Sequence, residues 1–226
     1  MPFTTVFFDL DDTLYPPSTG IWQAIRERMV LFMQVKLGLP PDEINALRRK
    51  YYEVYGTTLR GLQLHHQVDS DEFLAYVHDL PIAQMVQPDL ELRAMLLAMH
   101  VRKFVFTNAD TAHAGRILAA LGVSDCFDGI NDLRARDFYC KPDLEAYHRV
   151  LAHSGESWPQ NCLYLDDAPR NLIPARELGM RTVLVGEGAP NPDADLTISR
   201  PHDLGKVLPE LLGNGSRHAA QERLHE

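Results

Sequence analysis

The chain has 226 residues, 45% of them hydrophobic and 23% charged, which is ordinary for a globular protein with room for one full core and a smaller appendage. Its formal net charge of −9 argues against a nucleic-acid polymer or an anionic membrane as partner, though not against a small anionic substrate.

Residues 4–8 are β-branched and aromatic, free of Gly and Pro, and predict a strand buried on both faces that runs directly into Asp9, Asp11 and Asp12. From Tyr15 the period becomes helical. Ile21, Ile25, Met29, Phe32 and Met33 predict an amphipathic helix to Leu37, which Gly38-Leu39-Pro40-Pro41 stops. A second helix starts at Pro41-Asp42-Glu43, carries Ile44, Leu47, Tyr51 and Tyr55, and ends near Gly56. Two shorter helices are predicted over residues 59–66 and 70–79. No strand signal interrupts this stretch, so residues 16–87 read as an all-helical insert. Helices and strands then alternate: helix 90–99, strand 102–107, helix 111–121, strand 127–131, helix 143–154, strand 162–165, helix 169–178, strand 182–185 and helix 203–212. The expectation is an α/β fold, a Rossmann-like parallel sheet flanked by helices, built from residues 1–15 and 88–212 and carrying a small all-helical cap domain, with 213–226 a disordered tail.

Cys126, Cys140 and Cys162 are odd in number and widely spaced, pointing to neither a disulfide framework nor a zinc site. No apolar run approaches the roughly 18 residues of a membrane span. Because Met1-Pro2-Phe3 leads straight into a strand, no signal peptide is expected and the predicted compartment is cytoplasmic.

Four apolar strands end in complementary polar groups: Asp9, Asp11 and Asp12 after the first, Thr107-Asn108 after the second, Lys141 after the third, and Asp166-Asp167 after the fourth. A parallel sheet gathers such ends at one edge. Clustered carboxylates there raise one another's pKa unless a cation joins them, and the simplest cation is a hard divalent metal, Mg2+ first. The plainer alternative for the first cluster is an acidic turn capping a helix. Carboxylates, a hydroxyl, an ammonium and helix N-termini together suit phosphoryl transfer.

Asp9-Leu10-Asp11-Asp12-Thr13, Thr107-Asn108, Lys141-Pro142-Asp143 and Asp166-Asp167, in this order, resemble the four motifs of the haloacid-dehalogenase-like superfamily over residues 3 to about 210. The segment Tyr55-Gly56-Thr57-Thr58-Leu59-Arg60-Gly61-Leu62, with Phe106-Thr107-Asn108-Ala109 and Tyr164-Leu165-Asp166-Asp167, is similar to the pyrimidine 5′-nucleotidase subgroup. The resemblance implies that Asp9 is a nucleophile forming an aspartyl-phosphate and that Asp11 is the general acid and then the base. It implies that Thr107 binds phosphate oxygens, Lys141 neutralises nucleophile and phosphate, and Asp9, the Asp11 backbone carbonyl, Asp166 and Asp167 hold Mg2+, with Asp167 favoured as the direct ligand of the last pair. Dehalogenases of the superfamily lack the acid at position 11, which an alkoxide leaving group needs and a halide does not.

The implied activity is therefore hydrolysis of a small phosphomonoester, first a pyrimidine nucleoside 5′-monophosphate. A phosphatase for sugar phosphates or other metabolites, or a phosphoglucomutase-like enzyme, is the alternative. A phospho-accepting receiver domain is disfavoured because Lys141 precedes Asp166-Asp167 here. Asn108 and Asp110 stand as substrate contacts or helix caps, Asp143 as a helix-starting acid, Thr13 as a cap or a partner of the nucleophile, and Asn171 as a partner of the metal site. Asp12 reads as a bystander, Tyr51, Tyr52 and Tyr55 as core aromatics, and His65, His66 and His78 as non-ligands. Arg60 is the candidate cation for a base or second phosphate. The sequence sets no oligomeric state.

Overall fold

In the computed structural model, which describes residues 3–188 and 191–211, the alternation of apolar strands and amphipathic helices closes into one sheet. In chain order the elements are β1 (Thr5–Phe8), α1 (Ile21–Val35), α2 (Pro41–Tyr55), α3 (Thr58–His66), α4 (Ser70–Val77), α5 (Ile82–Met85), α6 (Leu90–Ala98) and β2 (Arg102–Phe106). There follow α7 (Thr111–Leu121), β3 (Gly129–Asn131), α8 (Leu144–His153), β4 (Cys162–Asp166), α9 (Pro169–Glu177), β5 (Arg181–Val185), β6 (Leu196–Ile198) and α10 (Leu204–Val207). All pairings are parallel, in the order β3-β2-β1-β4-β5-β6. This is an α/β fold with a Rossmann-like sheet, and its strand order reverses at β1, between β2 and β4.

Strand alternation sorts the core. Val6, Phe8, Val105 and Leu163 face one side with α6 and α7 residues such as Leu96 and Ile117, while Phe7, Phe106 and Tyr164 face the other with Tyr147 and Leu172. The first cluster runs on without a break through Leu10, Leu14 and Tyr15 into Ile21, Ile25, Phe32, Phe73 and Val77 of the inserted helices. Acid side chains start the helices: Asp69, Asp89, Asp110 and Asp143 each accept backbone N–H bonds in the first turns of α4, α6, α7 and α8, as Thr57 does for α3.

Three expectations are corrected. A sixth strand, β6, joins β5; its three residues, Leu196-Thr197-Ile198, are too short to show a period. A helical turn, α5, was not anticipated after Pro81. Residues 203–212 do not form one helix, since Pro209 has no N–H to donate, keeps Leu208 out of helical backbone (φ −133°, ψ 67°) and ends α10 at Val207. The predicted tail, 213–226, lies outside the described residues. No helix among the described residues is long and apolar enough to cross a membrane.

Two glycines test the packing. A Cβ on Gly61 in α3 would fall 2.1 Å from the Tyr51 ring, so α2 and α3 approach at the distance only a hydrogen allows. A Cβ on Gly115 in α7 would meet nothing within 4 Å. Gly61→Ala should lower unfolding stability by about 1–3 kcal/mol through overpacking, and Gly115→Ala should raise it by about 0.5–1 kcal/mol through helix propensity. Urea unfolding of both variants measures the opposite signs.

Candidate active site

Parallel register brings the ends of β1 and β4 side by side: Phe8 pairs with Leu165, and the Asp9 N–H continues the ladder by donating to the Leu165 carbonyl at 2.9 Å. Asp9 and Asp166 therefore share one edge, and Lys141 enters between them. Its ammonium donates to Asp9 Oδ1 at 2.6 Å and to Asp166 Oδ2 at 2.8 Å, with all three side chains buried. Burial alone would strip the charge from Lys141, but Asp166 and Asp9 outweigh it and hold its pKa above the ordinary lysine value. Asp9 is pushed well above the usual carboxylate range by burial and by Asp166, with Lys141 opposing.

Each member of this group is held from behind. Asp166 Oδ1 accepts from the Ala168 N–H at 2.9 Å and from the Asn171 amide at 3.0 Å, while its Oδ2 also accepts from the Tyr164 hydroxyl. Asn108 exchanges two bonds with the Lys141 backbone, its amide donating to the carbonyl at 3.0 Å and its carbonyl accepting from the N–H at 2.9 Å. Asn108 is thus neither the cap of α7, which is Asp110, nor an open substrate contact: its side chain is spent on Lys141. Thr107 Oγ1 accepts from the Ala109 N–H at 2.9 Å and lines the cavity with Asn108 and Ala109. Arg136, fully buried and stacked on Phe106 at 4.6 Å, ties the Thr107 and Asp132 carbonyls together at the ends of β2 and β3.

Asp9, Asp166 and Asp167 offer oxygens that lie within 4.8 Å of one another, the only such group of three or more among the described residues. They differ in access. Asp166 is enclosed and its oxygens are taken, whereas Asp167 lines the cavity and its carboxyl is raised to about 7 by burial and by Asp166. Thr13 donates to Asp9 Oδ2 at 3.3 Å and sits 3.5 Å from Asp167. Hard oxygen donors carrying surplus negative charge fit a hard divalent cation, with Asp9 and Asp167 the carboxylates open to it.

Asp11 faces the same cavity, which has a volume of about 600 Å³. Its Oδ1 meets the Tyr15 hydroxyl at 2.5 Å and His113 Nε2 at 2.9 Å. Burial works to raise this carboxyl, but His113 and then Tyr15 overcome it, and the net shift is downward. Neither partner was anticipated, because both stand on apolar helical or loop positions with no motif around them. His113 stacks on His78 at 4.2 Å between ring centroids, and His78 faces Asp110 at 3.3 Å. His78 is thus a packed histidine, as the absence of ligand spacing indicates. Asp12 is no solvated bystander: it lines the cavity at φ +58°, its Oδ1 is buried without a partner, and burial and Asp11 raise its carboxyl to about 6.

The inserted helices form the other wall. Trp22, Arg26 and Met29 from α1, and Asn45, Arg48, Arg49 and Tyr52 from α2, line it together with residues 56–59. Arg60 does not. It stands one turn into α3, its backbone N–H bonded to the Thr57 cap and its guanidinium directed to Gln63 at 3.5 Å. Tyr51 and Tyr55 pack with His65 and His66 inside the helical layer, while Tyr52 lines the cavity with Arg170 stacked over its ring at 3.9 Å. Gly56, at φ +82°, closes the α2–α3 turn onto the core, where a Cβ would fall 2.5 Å from the Lys141 carbonyl oxygen.

A parallel sheet with this site at its switch point defines a class, and residues 3–179 match the family model of haloacid dehalogenase-like hydrolases; the chain belongs to that family. It is 32% identical over 192 residues to phosphate metabolism protein 8 of Saccharomyces cerevisiae, a match covering 79% of this chain and 60% of that protein, so the chain spans less than two thirds of the yeast protein's length. It is 26% identical over 207 residues to glyceraldehyde 3-phosphate phosphatase of Methanocaldococcus jannaschii, covering 81% and 85% of the two chains. The fold is shared with a haloacid dehalogenase-like phosphatase from Thermococcus onnurineus at a TM-score of 0.63 and 18% identity, over 93% of this chain and 100% of that one.

Asp110 offers a test of the second layer. Burial opposes its charge, but His78 and the His113 backbone N–H more than offset that and hold its pKa at about 2. A carboxyl lowered from about 3.9 in the unfolded chain stabilises the fold above pH ~4 and loses that contribution as pH falls toward 2. Asp110→Asn keeps a capping side chain, so its stability deficit against the native chain should be largest near neutral pH and close between about pH 4 and 2, as read by urea unfolding across that range.

Proposed function

We propose that this protein is a Mg2+-dependent phosphatase that releases phosphate from a small phosphomonoester through an aspartyl-phosphate on Asp9. The observation that carries the proposal is the buried Lys141 ammonium set between Asp9 and Asp166 at the edge of a cavity that also holds Asp11, Thr107 and Asp167. Asp9 has one oxygen bonded to the Lys141 ammonium and the other, Oδ2, left with only the weak 3.3 Å bond from Thr13. Asp9 attacks phosphorus, the ester oxygen leaves, and Asp11 supplies the proton it needs, which requires Asp11 to be protonated in the substrate complex although His113 and Tyr15 lower its pKa in the free protein. Water then adds to phosphorus with Asp11 taking its proton, which frees phosphate and restores Asp9. Tyr15 and His113 anchor Asp11 Oδ1, leaving Oδ2 for this work. Thr107, which lines the cavity, would hold phosphate oxygens. Mg2+, held by Asp9, Asp167 and the Asp11 backbone carbonyl, would neutralise the phosphate oxygens.

In this proposal residues 16–87 serve as the cap over a core of residues 1–15 and 88–212, and exclude water from the cavity. A nucleoside 5′-monophosphate is the first candidate substrate, from the nucleotidase-like segment at residues 55–62; a sugar phosphate is the second, and a cavity of about 600 Å³ admits either. Gly56 and Gly61 of that segment serve packing, so the segment speaks to how the cap docks more than to what it binds.

Phosphate release should require Mg2+ and vanish in Asp9→Asn. Lys141→Ala should cost about 10²–10³-fold in kcat, and should lower stability at pH 7 by about 3–5 kcal/mol because Asp166 is left buried without its counter-ion. Full turnover by Asp9→Asn in a phosphate-release assay would overturn the mechanism.

A further inference from the structure

The chain has 31 acidic and 22 basic residues, so a cluster of cations with no acid among them stands out. On the inserted helices two cations have an acid beside them, Arg28 with Asp79 at 3.4 Å and Lys36 with Glu72 at 2.8 Å, both away from the cavity. The cavity wall gathers three that have none. Arg26 on α1 and Arg48 and Arg49 on α2 all line it, and none of the three forms an ion pair among the described residues. Arg48 is half-buried, its sole polar contact is the Asn45 amide oxygen at 3.4 Å, and its Nε is buried with no partner at all. Arg26 lies close enough to Arg48 for the two charges to repel, which adds to the burial of Arg48 in weakening its hold on charge.

Arg26 is exposed and Arg48 half-buried, so an anion between them would relieve their repulsion and give the buried Arg48 Nε an acceptor. The acids across the cavity do not fill that need. Asp9 is already met by Lys141, and Asp12 forms no ion pair among the described residues and keeps a buried oxygen without a partner. The phosphoryl group under attack is bound at the Asp9–Lys141–Thr107 edge, on the core. A second anion must therefore come from the other end of the substrate. Flanking Trp22, Met29 and Tyr52 supply apolar surface for the body between the two ends. Arginine suits the task, since its planar donors match carboxylate and phosphate oxygens two at a time.

We propose that Arg26 and Arg48 form a second anion subsite, so that the preferred substrates are phosphomonoesters whose leaving group carries a further phosphate or carboxylate. The inference rests on the phosphatase reading and narrows its substrate class. Among nucleotides it favours those bearing another phosphate or an acidic base over plain monophosphates, and among small metabolites it favours bisphosphates and phospho-acids over neutral sugar phosphates.

The test uses matched esters with the full chain and Mg2+: 4-carboxyphenyl against 4-carbamoylphenyl phosphate, and uridine 3′,5′-bisphosphate against uridine 5′-monophosphate. The anionic member of at least one pair should be preferred about tenfold or more in kcat/KM, mainly through KM. Which pair responds tells carboxylate from phosphate. Arg48→Gln and Arg26→Gln, each checked for an unchanged melting temperature, should bring that ratio down several-fold; if both variants melt early, the native ratio alone decides. Ratios near one in the native chain would overturn the subsite while leaving the phosphatase intact. A large ratio untouched by both folded variants would overturn the assignment to these arginines. No turnover of any ester would overturn the phosphatase reading and the inference together.

Discussion

One ammonium group organises this molecule. Parallel pairing of β1 with β4 forces the Asp9 and Asp166 carboxylates together at a buried edge, and only a cation between them makes that arrangement tolerable. Lys141 arrives from the connection after β3, far from either aspartate in sequence, and much of the surrounding structure holds it there. Asn108 grips its backbone on both sides, Tyr164 and Asn171 fix Asp166, and Gly56 lets the α2–α3 turn close directly over its carbonyl. The demands of charge burial thus reach from the sheet into the helical layer.

The cavity above this group is electrically divided. Its floor gathers Asp9, Asp11, Asp12 and Asp167, and its opposite wall gathers three arginines. In the proposed mechanism attack and proton transfer belong to the floor, where two aspartates close in sequence are set apart by their partners: an ammonium and a hydroxyl for Asp9, an imidazole and a phenol for Asp11. Under the proposed subsite, choice of leaving group belongs to the wall. The apolar cluster that continues from the sheet into α1 and α4 keeps the two facing each other.

The order of strands and helices was readable from residue pattern because burial on two faces and burial on one stripe leave different periods. The acids at strand ends were readable because apolar runs that stop in carboxylates have few explanations. What escaped was side-chain direction. Trp22, Arg26 and Met29 recur at the same spacing as a core stripe, and Arg48 with Arg49 looks like any solvated helix face until α1 and α2 are seen to share a cavity. Arg60 was plausible by position within its motif, yet it points along its own helix to Gln63. Asn108 carried a donor and an acceptor suited to a ligand, and the fold spends both on Lys141. β6 escaped for a simpler reason: three residues hold too little pattern to recognise, and β5 supplies the pairing that makes them a strand.

Two core arginines hold the inserted helices without holding their side chains. Arg116 donates to the His78 carbonyl at 2.7 Å, and Arg170 donates to the Tyr52 carbonyl at 3.0 Å. Both positions line the cavity, and every amino acid that could replace them brings the same carbonyl. The grip is therefore indifferent to residue identity where identity bears on the substrate. A lineage could exchange the cavity's contact residues one at a time and keep the inserted helices docked throughout, so that the cavity wall could change while its attachment to the core stayed the same.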